Sequence, residues 1–232
     1  MSLKHRLAER VLGASMTESL RSALDRLRGE RRIARAHRAG CALARNYAGR
    51  TGLRLHLGCG GVHKPGWVNI DTYSIPPCAP DLTLDLRRPL PFADDSCAEI
   101  YSEHVFEHIP FPGSALHLLG ESRRLLPPGG LLSIGVPDPR PVLQAWLDGT
   151  HDPYFDYFDH HPSVQRHLDT RMEAVNWLFR QGGEHQFIYD CHSLKKMLLL
   201  AGFTDISRRE FDPSIDSEAR RHGTLYVTAR RP

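Results

Sequence analysis

A glycine turn that follows a short apolar strand is the chemically most informative feature of this sequence. The apolar stretch 53–57 leads into Gly58-Cys59-Gly60-Gly61, and a second apolar stretch ends in an acid, Asp71. Glycines let the backbone pass close to a ligand, and a carboxylate at the tip of the next strand can accept both hydroxyls of a ribose. The pair therefore predicts a nucleoside-containing cofactor. Dinucleotide binding expects G-x-G-x-x-G with an acid about 20 residues further on, and here the third glycine is absent.

Polar residues at the end of the fourth predicted strand form a second chemical candidate. Ser102, Glu103 and His104 fall where that strand meets the crevice above the strand ends, where ligands collect in such sheets. If the reaction removes a proton from a hydroxyl, histidine is the base best suited to neutral pH. The catalytic candidates are His104, His108 and His185, and each is equally well explained as a structural histidine.

The spacing of His104 and His108 also raises the question of a metal. Residues four apart can share one face of a helix. The H-E-x-x-H order is absent, however, and no third ligand is evident in the sequence. We therefore predict no metal site.

Length, hydropathy and cysteine usage limit the class of protein. With 232 residues the chain suits one α/β domain plus an appendage. No apolar run approaches the roughly 18 residues of a membrane span or forms a secretory signal, which predicts a cytoplasmic protein. The cysteines are odd in number and form no C-x-x-C, so neither disulfides nor a zinc site are expected. They are Cys41, Cys59, Cys78, Cys97 and Cys191.

The charge is divided unevenly between an N-terminal arm and the rest of the chain. Residues 1–50 carry 12 Lys/Arg and 4 Asp/Glu, a net +8, whereas the remainder carries 18 and 23, a net −5. Ser15-Met16-Thr17-Glu18 fits a capping box, and leucines follow at helical spacing. We interpret residues 1–50 as a basic helical arm, a hairpin or one long helix, that packs on the domain or on a second subunit in a homodimer. Binding of RNA or an anionic membrane is the less favoured alternative.

From residue 53 onward, strand-like and helix-like stretches alternate, which is typical of a parallel sheet covered by helices. Predicted strands are 53–57, 66–70, 81–85, 97–102, 130–136, 204–211 and 223–230. Predicted helices are 103–109, 114–126, 139–148, 164–181 and 191–201. The segment 212–222 is too short for a crossover helix, so the last two strands should form an antiparallel edge hairpin. The predicted domain is 51–232, with a lid-like insertion at 138–190.

Several segments resemble, in order, those of class I S-adenosylmethionine-dependent methyltransferases. The likeness is to the small bacterial methyltransferase type 11-like branch often met beside glycan-building genes, and it implies a Rossmann-like seven-stranded, mostly parallel sheet with helices on both faces. The segments are LHLGCGG at 55–61, GWVNID at 66–71, LDL at 84–86, PLPFADDS at 89–96, YSEHVFEHI at 101–109, RLLPPGGLL at 124–132, HQFIYD at 185–190 and LLAGF at 199–203.

The resemblance implies S-adenosylmethionine as cofactor. It assigns binding to residues at the ends of the first four strands: Gly58, Cys59, Gly60, Asp71, Asp85, Leu86, Ser102 and Glu103. The glycine turn would line the methionine portion, Asp71 the ribose, and Asp85 with Leu86 the adenine. His56 stands where the family commonly has an acid, which leaves open whether other groups hold the methionine end or hold it less firmly.

The predicted function is methyl transfer to a small-molecule or glycan-linked acceptor, at oxygen. The run 151–161 is rich in aromatic, acidic and histidine residues and follows a strand's crevice end, so it could shape the acceptor pocket. Nucleic acid is disfavoured, because the domain is acidic and no Asn/Asp-Pro-Pro-aromatic segment follows the fourth strand. Two alternatives remain: a catalytically silent nucleoside-binding or scaffolding module, and an NAD-dependent oxidoreductase that would need the missing glycine.

Overall fold

The structure is a computed structural model and describes residues 14–75, 78–160 and 170–232. A single seven-stranded sheet has the order β3-β2-β1-β4-β5-β7-β6. β7 is antiparallel to both β5 and β6, and the other neighbours pair in parallel. The strands are β1 (Leu53–Leu57), β2 (Val68–Asp71), β3 (Leu82–Thr83), β4 (Cys97–Glu103), β5 (Leu131–Pro137), β6 (Thr204–Arg209) and β7 (Thr224–Arg230). The predicted Rossmann-like sheet with its antiparallel edge hairpin is confirmed.

The described helices are α1 (Ala14–Leu43), α2 (Gly113–Leu125), α3 (Pro139–Asp148), α4 (Pro153–His160), α5 (Arg171–Arg180) and α6 (Cys191–Leu200). The helix predicted over 103–109 is wrong. His104 has a positive φ of 55°, which no right-handed helix accepts, and only a 3₁₀ turn forms at Phe106–His108 before Pro110. α4 was not predicted, and the predicted helix 164–181 is described only as α5, since 161–169 lie outside the described residues.

The N-terminal arm is one long helix over its described part, not a hairpin. Ser15 lies inside α1, so it is not the N-cap that the sequence predicted. The second half of α1 packs on β3, where a Cβ on Gly40 would lie 2.1 Å from the Thr83 carbonyl oxygen. The first half leaves an apolar stripe about half exposed: Met16, Leu20, Leu24 and Leu27. No described helix has both the length and the apolar character that crossing a membrane requires.

Two separate hydrophobic cores are present. The main core lies between the central strands and the helices α2 and α6, and it buries side chains such as Leu57, Ile100 and Leu194 completely. The second core joins α3, α4 and α5 around Phe158 and Leu178. The insertion is therefore a small helical unit with its own apolar interior, placed after β5 at the edge where ligands bind in sheets of this type.

Candidate functional site

The glycine turn after β1 is bonded to β2 and is open on one side. The backbone amides of Gly58 and Cys59 both donate to the Ile70 carbonyl, at 2.8 and 3.0 Å. Gly58 has a φ of 69°, and a Cβ there would lie 2.0 Å from Cγ2 of Val105, so only glycine fits. A Cβ on Gly60, at φ 53°, would meet no atom within 4 Å. The turn thus offers bare backbone to a ligand on its open side.

Asp71 closes this turn from β2. Its Oδ2 accepts from the Gly60 amide at 2.7 Å, and its Oδ1 accepts from the Tyr73 amide at 3.0 Å. A carboxylate oxygen has two lone pairs, so each keeps one for a further donor such as a ribose hydroxyl. The neighbouring Cys59 is buried, and burial raises the pKa of its thiol to about 12. Cys59 therefore remains a neutral thiol rather than a nucleophile.

Asp85, predicted to meet the adenine, is held by arginines instead. Arg87 Nε donates to its Oδ1 at 2.8 Å, and Arg88 Nε donates to its Oδ2 at 3.1 Å. Burial opposes ionisation of Asp85, but these bonds hold its pKa below the ordinary value. Arg87 also makes a bidentate pair with Glu30 of α1, at 3.0 and 2.8 Å. Asp85 is thus linked to α1 through Arg87. An adenine amino group that bound Asp85 would share its carboxylate oxygens with the two arginines. Leu86 is buried in the main core.

Ser102 and Glu103, also predicted to bind the cofactor, are buried at the end of β4. Glu103 Oε1 accepts from the Tyr226 hydroxyl at 2.9 Å and the Ser217 amide at 3.3 Å, and Arg220 Nη1 lies 3.6 Å from Oε2. Glu103 therefore fastens the β6–β7 connection to the sheet. The Ser102 hydroxyl has no hydrogen-bond partner in the described part of the chain.

His56, which replaces the family's acid, is neutral. Asn69 Oδ1 already accepts from the Lys64 amide, so the His56 Nδ1–H donates to it at 3.1 Å. Burial is the main cause that lowers the pKa of His56 to about 4; the hydrogen bond to Asn69 opposes this shift, and the charges of Lys64 and Arg220 contribute to it. Two cations therefore lie near His56, the position where the resemblance predicts the methionine end of the cofactor. The sequence analysis missed both, because a single Lys or Arg in a loop forms no pattern.

Hydrogen bonds fix the tautomers of two of the three predicted catalytic histidines. The Thr224 hydroxyl donates to the Arg220 carbonyl at 2.6 Å, so it accepts from His104 Nε2–H at 2.9 Å. His185 donates through Nδ1–H to the Leu178 carbonyl at 2.7 Å. Consequently Nδ1 of His104 and Nε2 of His185 carry free lone pairs. Burial lowers the pKa of both rings, that of His104 to about 3, which keeps them neutral.

The structure brings these histidines together around Glu107. The rings of His108 and His185 lie edge to face, with centroids 4.8 Å apart. Glu107 Oε1 lies 3.6 Å from His104 Nδ1 and 3.9 Å from His108 Nε2. Burial raises the pKa of Glu107 to about 8. The sequence did not reveal a third candidate metal ligand. His185 is that ligand, because the fold carries it to the end of β4.

The insertion lies beside this cluster. The backbone amides of Gln186 and Phe187 both donate to the Glu107 carbonyl, at 2.6 and 3.2 Å. Phe187 also stacks on Phe111, with centroids 3.8 Å apart. Burial raises the pKa of Tyr157 in α4, and the positive charge of Arg220 acts against that rise. Tyr157 is thus close enough to Arg220 to feel its charge.

A family comparison decides between the classes of protein that the sequence left open. A family model described as a methyltransferase domain matches residues 62–208, more than half of the chain. The chain belongs to the methyltransferase-domain family. This methyltransferase is a class I, S-adenosylmethionine-dependent enzyme, as the motifs predicted. The family match begins after Gly61, so the assignment of the glycine turn rests on the geometry given above.

Solved structures of similar fold include several methyltransferases. One is an S-adenosylmethionine-dependent methyltransferase from Mesorhizobium loti (TM-score 0.43, 20% identity, 82% of this chain and 96% of that one). Another is from Archaeoglobus fulgidus (TM-score 0.47, 14% identity, 84% and 94%). A possible exported protein from Bordetella parapertussis is also similar (TM-score 0.47, 17% identity, 84% and 67%). The comparison with curated proteins found no match.

Proposed function

We propose that this methyltransferase transfers a methyl group from S-adenosylmethionine to a hydroxyl of a small-molecule or glycan-linked acceptor. One observation carries the proposal: three neutral imidazoles gather at the end of β4, beside the glycine turn. Val105, next to His104, is the residue that packs against Gly58. A ligand on the turn and an acceptor among the imidazoles would therefore be neighbours.

The residues present fit the cofactor. The open side of the turn at Gly60 accommodates a ligand against bare backbone, and Asp71 retains lone pairs for the ribose hydroxyls. Lys64 and Arg220 place positive charge near His56, and a methionine carboxylate would pair with that charge, although Lys64 Nζ also donates to the Ile215 carbonyl. When bound, S-adenosylmethionine supplies a methyl group activated on a positively charged sulfur. These four residues, Gly60, Lys64, Asp71 and Arg220, would hold it.

The protein's part in the reaction is to position the acceptor and to take its proton. Methyl transfer would be an in-line displacement in which the cofactor supplies an electrophilic methyl carbon, so the protein must hold the acceptor oxygen in line with that carbon and accept its proton. The hydroxyl proton passes to an imidazole nitrogen whose lone pair is free. Nδ1 of His104 is the first candidate, because Nε2 of that ring carries the hydrogen. His104 is a weak base, so its main contribution is to accept the hydroxyl hydrogen bond and orient the oxygen.

Charge and aromatic content favour an uncharged, hydroxyl-rich acceptor such as a sugar. Residues 51–232 carry a net charge of −5, which repels polyanions. In the insertion, the ring of Tyr157 is about half exposed and lies 5.6 Å from that of Tyr154. Aromatic faces of this kind pack against the apolar faces of sugar rings.

A methyl-transfer screen tests the proposal. Purified protein and S-adenosylmethionine are incubated with panels of oligosaccharides, nucleotide sugars and phenols, and in parallel with amines and RNA. Formation of S-adenosylhomocysteine is measured, and mass spectrometry locates the methyl group. We expect O-methylated products from the hydroxylated panel, whereas turnover of amines or RNA alone would contradict the proposal.

The role of His104 is tested in the same assay. His104→Gln should lower kcat by about 10²-fold with unchanged affinity for S-adenosylmethionine. His192→Gln is the matched control, because His192 is an exposed histidine of α6 that does not belong to the cluster. Equal kcat values for the two variants would remove His104 from the reaction.

A further inference from the structure

We propose that Glu107, His108 and His185 bind a divalent first-row transition-metal ion at the junction between the sheet and the helical insertion. Each residue offers one ligand atom, and the three atoms lie within 4.8 Å of one another. Glu107 and His108 belong to the 3₁₀ turn after β4, whereas His185 follows α5. The two sides of the site therefore come from separate parts of the fold.

The Glu107 carboxyl group is the first observation that requires a partner. Its side chain has 0% exposure, and neither oxygen has a hydrogen-bond partner among the described residues. A buried carboxyl group without partners is strongly unfavourable, and proteins resolve this by pairing it or by coordinating a metal. Arg220 acts on Glu107 electrostatically, but its guanidinium group donates to the carbonyl of Glu103 and not to Glu107. A bound cation would provide the Glu107 carboxylate with a partner.

The two imidazoles are arranged as metal ligands. A metal-binding histidine usually donates its second ring N–H to a carbonyl or carboxylate, which fixes the ring and leaves the other nitrogen for the metal. His185 does this, since its Nδ1–H donates to the Leu178 carbonyl at 2.7 Å and Nε2 stays free. His108 directs Nε2 toward Glu107 Oε1 at 3.9 Å. The Leu178 carbonyl lies in the second hydrophobic core, so the insertion itself orients this ligand.

The donor set selects the class of metal. Two imidazoles and one carboxylate suit Zn²⁺, Mn²⁺, Fe²⁺ or Co²⁺, whereas Mg²⁺ and Ca²⁺ prefer oxygen ligands only. Bonds of about 2.1 Å would bring neighbouring ligand atoms to roughly 3–3.5 Å apart. The widest separation, up to 4.8 Å, must therefore shorten by about 1.3–1.8 Å, and the His108 side chain, 34% exposed, has room to turn. Three protein ligands also leave a coordination position for water.

An ion at this position would fasten the insertion to the sheet. The backbone bonds from Gln186 and Phe187 to the Glu107 carbonyl already join the two parts at the same point. Metal ligands drawn from both sides would add a second connection there. Because the ion binds only the folded protein, saturating metal should raise the thermal unfolding temperature.

The test is a titration of the full-length, tag-free protein with Co²⁺ after treatment with a chelator. We expect one Co²⁺ per chain, visible d–d absorption that Zn²⁺ abolishes by competition, and a higher Tm. Glu107→Gln keeps the shape of the side chain but removes its charge, and His185→Gln removes an imidazole. Each should weaken Co²⁺ binding by at least about tenfold. His192→Gln, the exposed control, should bind like the unaltered protein.

Two results would overturn the proposal: no stoichiometric Co²⁺ binding by the unaltered protein, or equal Co²⁺ affinity in all variants. Affinity for S-adenosylhomocysteine, measured on the same samples, shows whether each variant is folded. If Glu107→Gln loses that affinity, His108→Gln replaces it, since the partly exposed ring of His108 is less important for folding. The metal site does not depend on the acceptor, so a chain that binds Co²⁺ here but methylates no hydroxyl would contradict only the proposed function.

Discussion

At the scale of single residues, the site combines conformations that only glycine accepts with buried polar groups whose partners come from elsewhere in the chain. Gly58 and Asp71 lie in short local patterns, so the sequence predicts them. Glu107 and Arg220 acquire their importance only when the fold places them beside β4, and no spacing in the sequence indicates this. Sequence patterns cannot predict contacts between residues that only folding brings together.

His56 provides a prediction of pH-dependent stability. Burial lowers its pKa to about 4 in the folded protein, whereas an unfolded histidine has a pKa of about 6.5. The unfolded chain therefore binds the proton first as the pH falls, so stability is lost below about pH 6.5. Between pH 7 and pH 5 this residue alone should lower the free energy of unfolding by about 2 kcal/mol.

Urea denaturation of the unaltered protein and of His56→Asn at both pH values measures this effect. Asparagine keeps a donor for Asn69 but cannot titrate, so the stability difference between the two proteins should shrink toward pH 5. Other buried histidines are common to both proteins and cancel in the difference. Parallel loss of stability in the two proteins would contradict the assignment.

At the scale of elements, the connection between β6 and β7 covers a polar face of the sheet. Asp216 accepts from both terminal nitrogens of Arg209, at 2.5 and 2.6 Å, and from the Tyr101 hydroxyl at 3.1 Å. Arg209 also donates to the Ser133 hydroxyl of β5. This buried pair fixes the segment that carries Arg220 to the crevice.

Asp216→Ala should destabilise the protein by about 3–5 kcal/mol, because it leaves the half-buried guanidinium of Arg209 without its partner. Chemical denaturation measures the free energy of unfolding. Arg209→Met with Asp216→Leu, which removes both charges, should recover part of the loss. A single-variant loss below about 1 kcal/mol would show that the pair does not hold this segment.

The elements themselves were predictable to different degrees. Alternating apolar stretches predicted all seven strands, and α2, α3 and α6 fall within one residue of prediction. The helix predicted over 103–109 was wrong, because the left-handed conformation of His104 is imposed by its place at the crevice. The short helix α4 was missed, since its aromatic residues pack on a core that the insertion forms only with α3 and α5.

At the scale of the whole molecule, specific contacts join the N-terminal arm to the domain. The uneven distribution of charge along the sequence does not by itself indicate such contacts. Its second half contacts the domain through the Glu30–Arg87 pair and through His37, whose Nδ1 accepts from the Asp85 amide at 3.1 Å. Its first half carries the exposed apolar stripe. The homodimer predicted from the sequence remains a prediction, and this stripe is the surface that would support it.

Two truncations separate these halves. Removing residues 1–28 keeps Glu30, so stability and cofactor affinity should remain unchanged. The same truncation should abolish self-association, and sedimentation measures the mass in solution. Removing residues 1–48 should also lower stability, because it uncovers β3 and unpairs Arg87. An unchanged mass in solution for the shorter truncation would contradict the stripe as a dimer surface.

Calorimetric titration of S-adenosylhomocysteine into the unaltered protein, Asp71→Ala and Asp71→Asn tests the central claim, that the glycine turn and Asp71 hold the cofactor. We predict tight binding of S-adenosylhomocysteine to the unaltered protein and no comparable binding of NAD. Asp71→Ala should lower the affinity for S-adenosylhomocysteine by about 10- to 100-fold, because charge-assisted bonds to the ribose disappear. Asp71→Asn, which keeps an acceptor for the Gly60 amide, should lie between them. Unchanged affinity in Asp71→Ala would contradict the account.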